Sequence, residues 1–232
     1  ILSSCDRAIE LTEKLIASKR KLKRGLMQKL LTGKLRFSEF EGHKWKKVKL
    51  GDILKERIEK NRTDLNLLAV TENYGVISRD LLDRQDTSSN DKSNYKRVAC
   101  GDIVYNTMRM WQGRSGLSKL EGIVSPAYTV LIPSTDVHGS FIKHLFKLPS
   151  IIFLFFRYSQ GLVSDTWNLK YKQLSKISIN LPDLKEQRKI SNTLDILDQE
   201  ISHLSLQMEN YKQNKKGLMQ QLLTGKTRVP LN

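Results

Sequence analysis

At 232 residues, 39% hydrophobic and 28% charged, the chain is long enough to bury a core without a disulfide or metal staple. Its 40 Lys and Arg against 24 Asp and Glu leave a formal charge of +16, a surplus that attracts polyanions, nucleic acid first, through a salt-dependent grip. Cys5 and Cys100 lie far apart, nothing reads as a signal peptide, and the greasiest run, Ile151-Ile-Phe-Leu-Phe-Phe156, is too short to span a bilayer; a disulfide scaffold and a membrane span are excluded, and a reducing cytoplasmic setting is expected.

The first element is a long helix. Leu2, Cys5, Ile9, Ile16, Leu26 and Leu30 keep a coiled-coil spacing that Thr12 and Lys19 interrupt. Residues 14–36 hold nine Lys and Arg and no acid, and Gly33 stands where a C-terminal cap belongs, with Lys34 suited to the negative end of the helix dipole. Residues 37–45 form the only evident joint before a mixed α/β domain. In that domain a helical pattern covers residues 51–59, and β-type runs fall at 67–70, 103–105, 123–124, 128–132 and 177–179. Residues 85–94 are polar and read as a loop. A second helical pattern covers 140–158, with Pro149 ending or bending it and the apolar run 151–156 buried.

Three stretches of this domain mix cations, amides and aromatics in the way base readout requires: residues 62–74, Asn106-Thr-Met-Arg-Met-Trp-Gln-Gly-Arg114, and Ser164-Asp-Thr-Trp-Asn-Leu-Lys-Tyr-Lys172. Arg pairs bidentately with guanine and Asn or Gln with adenine, while flanking Lys hold phosphates. The candidate DNA-binding residues are Arg62, Tyr74, Asn106, Arg109, Trp111, Gln112, Arg114, Asn168, Lys170 and Lys172. Trp111 and Trp167 fit a core role equally well.

The last element is again a long helix. Ile190, Leu194, Leu197, Ile201, Leu204, Met208 and Tyr211, then Leu218 and Leu222, repeat at 4-3-4-3 with a gap at Lys215. It also repeats the first helix: Lys23-Arg-Gly-Leu-Met-Gln-Lys-Leu-Leu-Thr-Gly-Lys34 returns as Lys215-Lys-Gly-Leu-Met-Gln-Gln-Leu-Leu-Thr-Gly-Lys226, identical at ten of twelve positions, with Gly225 at the second cap. Two such helices, roughly 30 to 35 residues and about 50 Å long at 1.5 Å per residue, exceed what one domain can cover. They require a helical partner, within the chain or across a dimer, through Leu2, Ile9, Ile16, Leu26 and Leu30 on one side and Leu194, Leu197, Ile201, Leu204, Met208, Leu218 and Leu222 on the other. Ile1 aligns with Thr193, so the counterpart of residues 181–192 is missing from the first repeat; the chain is expected to be a piece of a longer protein.

The histidines His43, His138, His144 and His203 have no metal-ligand spacing, and neither cysteine has a CxxC partner. Thr32-Gly-Lys34 is a helix end and no phosphate loop, because the required first glycine would fall at Gln28. No nucleophile elbow, Gly-rich cofactor fingerprint or adenine-methyltransferase motif occurs, and Asp183 precedes a helix as an N-cap. No catalytic or metal residue is assigned.

Leu181-Pro-Asp-Leu-Lys-Glu-Gln-Arg-Lys-Ile190 with Leu194, Leu197, Asp198 and Ile201, followed by Gly217-Leu-Met-Gln-Gln-Leu-Leu-Thr-Gly225, resembles the conserved helix of type I restriction-modification specificity subunits. Trp45-Lys-Lys-Val-Lys-Leu-Gly-Asp-Ile53, Gly101-Asp-Ile-Val-Tyr105, Trp111-Gln-Gly-Arg-Ser-Gly116 and Gly122-Ile-Val-Ser-Pro-Ala-Tyr128 look like that family's target recognition domain. The resemblance implies two long helices paired as an antiparallel coiled coil that acts as a ruler, and recognition domains that each read half of a split DNA site. With one such domain the chain looks like the C-terminal half of a subunit, or a naturally half-sized one. It also implies no catalysis and no cofactor in this chain. S-adenosylmethionine, ATP and Mg belong to the partners, which are double-stranded DNA, methyltransferase subunits, motor-nuclease subunits and, for a half-sized chain, a second copy. The expected fold is α+β: a first coiled-coil helix over residues 1–36, a target recognition domain over 37–183, a second helix over 184–226 and a tail over 227–232. Two rival readings are a fragment of a single-chain restriction or methyltransferase enzyme, and a basic coiled-coil interaction protein.

Overall fold

The computed structural model describes residues 2–71, 74–82, 91–163 and 166–226. In chain order they form α1 (Leu2–Leu30), β1 (Lys46–Lys49), α2 (Leu50–Ile53), β2 (Leu54–Glu56), β3 (Leu68–Thr71), β4 (Gly75–Ser78), β5 (Lys96–Val98), β6 (Ile103–Asn106), β7 (Ser115–Leu117), β8 (Gly122–Val124), β9 (Tyr128–Pro133), α3 (Gly139–Leu145), α4 (Pro149–Tyr158), α5 (Tyr171–Leu174), β10 (Ser178–Leu181) and α6 (Leu184–Leu223). The fold is α+β, with the two long helices at the chain's ends. Two compact units emerge, Ile1–Lys29 with Asn192–Asn232, and Leu30–Ser191. Most of the 85–94 loop and the 227–232 tail lie outside the described residues.

The first unit is a helical pair. Lys23 bonds Asp198, Lys19 bonds Glu200 at 2.8 Å, Lys212 bonds Glu13 at 3.3 Å and Lys215 bonds Asp6. One number falls as the other rises, so the helices run antiparallel and meet within the chain. Every expected seam position is buried or half-buried, including Ile16, Leu194 and Leu197. The interruptions are explained: the Thr12 hydroxyl donates to the Ala8 carbonyl at 2.7 Å, and the lysines at 19, 23 and 215 each reach an acid across the pair. Away from the seam, α1 exposes Leu11, Leu15 and Leu22. Spacings of four and seven place these three on one face. Both caps hold as expected, with Gly33 at φ 70° and Gly225 at φ 72°, angles that a Cβ would strain.

The second unit is built on the antiparallel sheet β2-β9-β6-β7, with the two-stranded pairs β1-β10, β3-β4 and β5-β8. Continuous apolar runs make the central strands: Ile103, Val104, Tyr105, Val130 and Leu131 are fully buried. Leu68, Val70, Val76, Val98 and Val124 close around them. Each such side chain contributes about 1.5–3 kcal/mol by leaving water. α3, α4 and the turn between them add Phe141, Phe155 and Phe146, with Phe146 and Phe155 edge to face at 5.0 Å. As expected, Pro149 breaks this helical stretch; it is the first residue of α4, and the two helices meet at 80°. No single described helix is long and apolar enough to cross a membrane.

Two expectations need correction. The pattern at 51–59 forms one helical turn and then strand β2, because Leu54, Lys55 and Glu56 pair with Pro133, Ile132 and Leu131 of β9. That ladder buries Leu54 completely and overrides the local period. The run 151–156 is buried on one flank alone: Ile151 and Phe155 are inside, whereas Phe153 and Phe156 face out. A ten-residue helix laid against a domain has a second side, and here that side is aromatic.

The joint at residues 37–45 is held by Glu186 of α6, 1% exposed. Arg36 grips both its carboxylate oxygens, Nε at 2.9 Å and Nη2 at 2.6 Å, and the Trp45 indole N–H donates to it at 3.1 Å. The Trp45 ring also covers Gly33, where an added Cβ would lie 3.5 Å from it. At the start of α6 the Asp183 carboxylate accepts the Glu186 amide at 2.9 Å. That bond holds the Asp183 carboxyl below the usual range against the opposing effect of burial, and His43 beside it adds a further pull in the same direction. A depressed folded pKa gives stability that is present above the unfolded carboxyl's pKa and lost as pH falls through the folded value. Asp183→Ala should therefore cost about 1 kcal/mol at neutral pH and flatten the acid limb of a stability–pH curve measured by urea denaturation. An unchanged midpoint and acid limb would refute the cap.

Candidate nucleic-acid interface

The β6–β7 connection carries the densest group of expected readers, and its backbone is closed on itself. Buried β6 delivers the chain to Asn106, whose side-chain oxygen accepts the Met108 amide at 3.0 Å and whose own N–H reaches the Arg114 carbonyl at 3.2 Å. Met110 is fully buried inside the loop and acts as its anchor. Arg109 and Gln112 are left exposed on a stiff support, as a reading loop requires. The half-buried Trp111 donates its indole N–H to the Met108 carbonyl at 3.0 Å.

A strap from α4 to α5 lies against this loop. Gln160 and Asn168 exchange backbone bonds of 2.9 and 2.8 Å, and the Leu169 N–H bonds the Thr107 carbonyl at 2.9 Å. Trp167 meets Trp111 edge to face at 5.3 Å and Phe156 at 4.9 Å. Lys147 donates to the Gly113 carbonyl at 2.7 Å. Asn106, Arg109, Trp111, Gln112, Arg114 and Asn168 thus gather at one place, with Lys170 exposed just beyond Asn168 and Lys172 exposed on α5. Tyr74, 78% exposed, sits at the tip of the β3–β4 hairpin. That hairpin packs on β7, at the far end of the loop: Gly75 and Gly116 approach so closely that a Cβ on Gly116 would lie 2.9 Å from the Gly75 Cα.

Arg62 is not brought to this group. Its guanidinium forms a fork with its neighbour Asp64, at 2.9 and 2.8 Å, and its other charged neighbours are Glu121 and Glu59. Sequence reasoning also passed over Arg157, Phe153 and Phe156. Their signal was an aromatic run ending in an arginine, and only the helix's orientation tells its two flanks apart.

Charge is distributed unevenly along the unit. Several cations are neutralised locally: Arg57 by Asp102 at 2.7 and 3.0 Å, Lys96 by Glu56, and Arg97 by Glu59 and Glu121. The described segments 103–120, 137–163 and 166–182 hold nine Lys and Arg and no Asp or Glu of their own; Asp165, between the last two, lies outside the described residues. Arg109, Arg157, Lys170 and Lys172 have no acid partner among the described residues. Unneutralised cations in water cost little to keep and gain when they replace counterions on a phosphate backbone.

Among the described residues of this unit, no three His, Cys, Asp or Glu side chains converge at ligand spacing. A shallow cleft of about 400 Å³ is lined by Arg57, Cys100, Asp102 and His138. Within it Arg57 and Asp102 form a closed pair at 2.7 and 3.0 Å.

A sequence model of the type I restriction modification DNA specificity domain matches residues 42–209. Three solved structures share the fold. The HsdS subunit from Thermoanaerobacter tengcongensis has a TM-score of 0.54 at 17% identity, covering 94% of this chain and 55% of that one. The type I restriction-modification system S subunit from M. genitalium has a TM-score of 0.60 at 16% identity, covering 94% and 57%. A structure titled for complex assembly and conformational transition of the type I R-M system has a TM-score of 0.54 at 16% identity, covering 95% and 56%. The chain spans just over half the length of each of these proteins.

Proposed function

This chain belongs to the type I restriction modification DNA specificity domain family, and we propose that it is a sequence-reading module of such a complex, acting on duplex DNA in the cytoplasm and performing no chemistry itself. The observation that carries the reading is the braced 106–114 loop with the 159–163 and 166–170 strand of chain bonded against it, which leaves Arg109, Gln112 and Lys170 exposed, with Arg109, Lys170 and the nearby Lys172 lacking any acid partner among the described residues. Lys170, Lys172 and Arg157 hold phosphates, and Arg109 with Gln112, and Arg114 behind them, reads base edges of one half-site. S-adenosylmethionine, ATP and Mg act in partner subunits. The apolar face of α1 formed by Leu11, Leu15 and Leu22 is a docking surface for the methyltransferase subunit, and motor-nuclease subunits join through that assembly. A chain that works as a half-sized subunit would bring its second half-site through a second copy.

Duplex binding by the purified chain should weaken steeply with salt, and Lys170→Ala and Lys172→Ala should each reduce the log–log slope by about one while weakening all sequences alike. Arg109→Ala or Arg114→Ala should instead relax preference at one position by about 1–3 kcal/mol. Salt-insensitive or absent binding would favour a coiled-coil interaction protein. Turnover of DNA by this chain alone with Mg²⁺ and S-adenosylmethionine would favour the single-chain enzyme.

A further inference from the structure

Between Ser150 and Arg157 the exposed positions of α4 are aromatic. Phe153 and Phe156 are 56% and 41% exposed, with ring centroids 6.3 Å apart and planes 29° from parallel. Trp167 backs Phe156 edge-on, and Trp111 backs Trp167, so an unbroken aromatic path leads from the exposed rings to the loop holding Arg109. Two exposed rings side by side, joined to further aromatics behind them, are the kind of contiguous apolar surface that marks a binding site. Its surroundings identify the occupant: Arg157 follows directly, Arg109 and Lys170 stand at the other end of the path, and none of the three has an acid partner among the described residues. Flat apolar rings set in a field of one sign fit a partner that is flat and apolar at close range and anionic around its edge. Stacked bases between two phosphate backbones have that combination.

We propose that Phe153 and Phe156 form an aromatic wedge that presses into one base step of the bound duplex and unstacks it, with Trp167 and Trp111 as rigid backing. The proposal rests on the DNA-reading function above and deepens it. Phenyl rings cannot read base edges by donors and acceptors. It can favour sequences whose steps open at low cost, pyrimidine–purine steps above all. Preference then arises at a position that makes no polar contact.

The test uses the full chain and a duplex that it selects from a random pool, with 2-aminopurine placed at successive positions. Binding should raise the fluorescence at one step. Phe153→Ala with Phe156→Ala should abolish that rise at saturating protein and lower affinity on the order of tenfold. Lys170→Ala should weaken binding and leave the rise at saturation intact. Melting of each variant is followed by circular dichroism, and if the double variant melts early, Phe153→Ala alone provides the same readout from the more exposed ring. No rise at any position with bound wild type, or an unchanged rise in the folded variant, overturns the wedge. A wild-type chain that selects no duplex overturns the DNA reading itself.

Discussion

Glu186→Ala is expected to remove about 3–5 kcal/mol of stability, the cost of stripping a partner from a buried ion pair. The residue is 1% exposed and takes three hydrogen bonds, two from Arg36 and one from the Trp45 indole. Without it, a guanidinium only 16% exposed stays charged beside apolar Trp45 with two of its donors unmatched. A domain with a typical margin of about 5–15 kcal/mol cannot lose that much and stay fully folded on warming. Urea unfolding followed by Trp fluorescence should show a lower midpoint, because Trp45 reports from the damaged corner. Glu186→Gln should fall between the two, keeping the shape and one acceptor while losing the charge. A midpoint within about 0.5 kcal/mol of wild type for Glu186→Ala, the size of an ordinary surface change, would show that this corner contributes little.

The second large effect concerns assembly. Leu11→Asp combined with Leu15→Asp should weaken capture of the methyltransferase subunit by roughly a hundredfold or more, since central apolar anchors in an interface are each worth about 2 kcal/mol or more. Both side chains point away from the seam, 56% and 45% exposed, so the helical pair should still form and duplex binding by the chain alone should persist. Co-purification with the partner and a binding titration on DNA separate the two properties. Loss of DNA binding together with assembly would mean that the substitutions had unfolded the helices, and retention of both would place the docking face elsewhere.

The sequence was most legible where one local rule acted alone. The heptad spacing located both long helices, and glycine in a repeated Leu-Leu-Thr-Gly motif marked their ends because the left-handed conformation penalises a Cβ. Central strands such as β6 were visible as short apolar runs. Legibility failed where partners far along the chain decide. Lys46-Lys-Val-Lys49 has the composition of a solvated loop, yet it pairs with β10 as a lysine-rich strand of a two-stranded sheet. Thr12 and Lys19 looked like breaks in a seam until Ala8 and Glu200 completed them. The candidate site divides in the same way: clustering of cations and amides marked the 106–114 loop, but nothing local distinguished Arg62, already spent on Asp64, from Arg109, which is not.

The four rungs between the arms, at Lys19, Lys23, Lys212 and Lys215, have a consequence for register. Each is partly exposed and adds little cohesion, about 0–1 kcal/mol; three of the lysines stand where leucine would bind the rods more firmly. Sliding one rod by a single turn, about 5.4 Å, would part every rung at once and leave cations facing apolar surface. The rods can therefore sit at full match or at a plain mismatch, with no gradual range between them. The alignment of the pair is thus set in whole turns, and salt should loosen its register before it separates the rods.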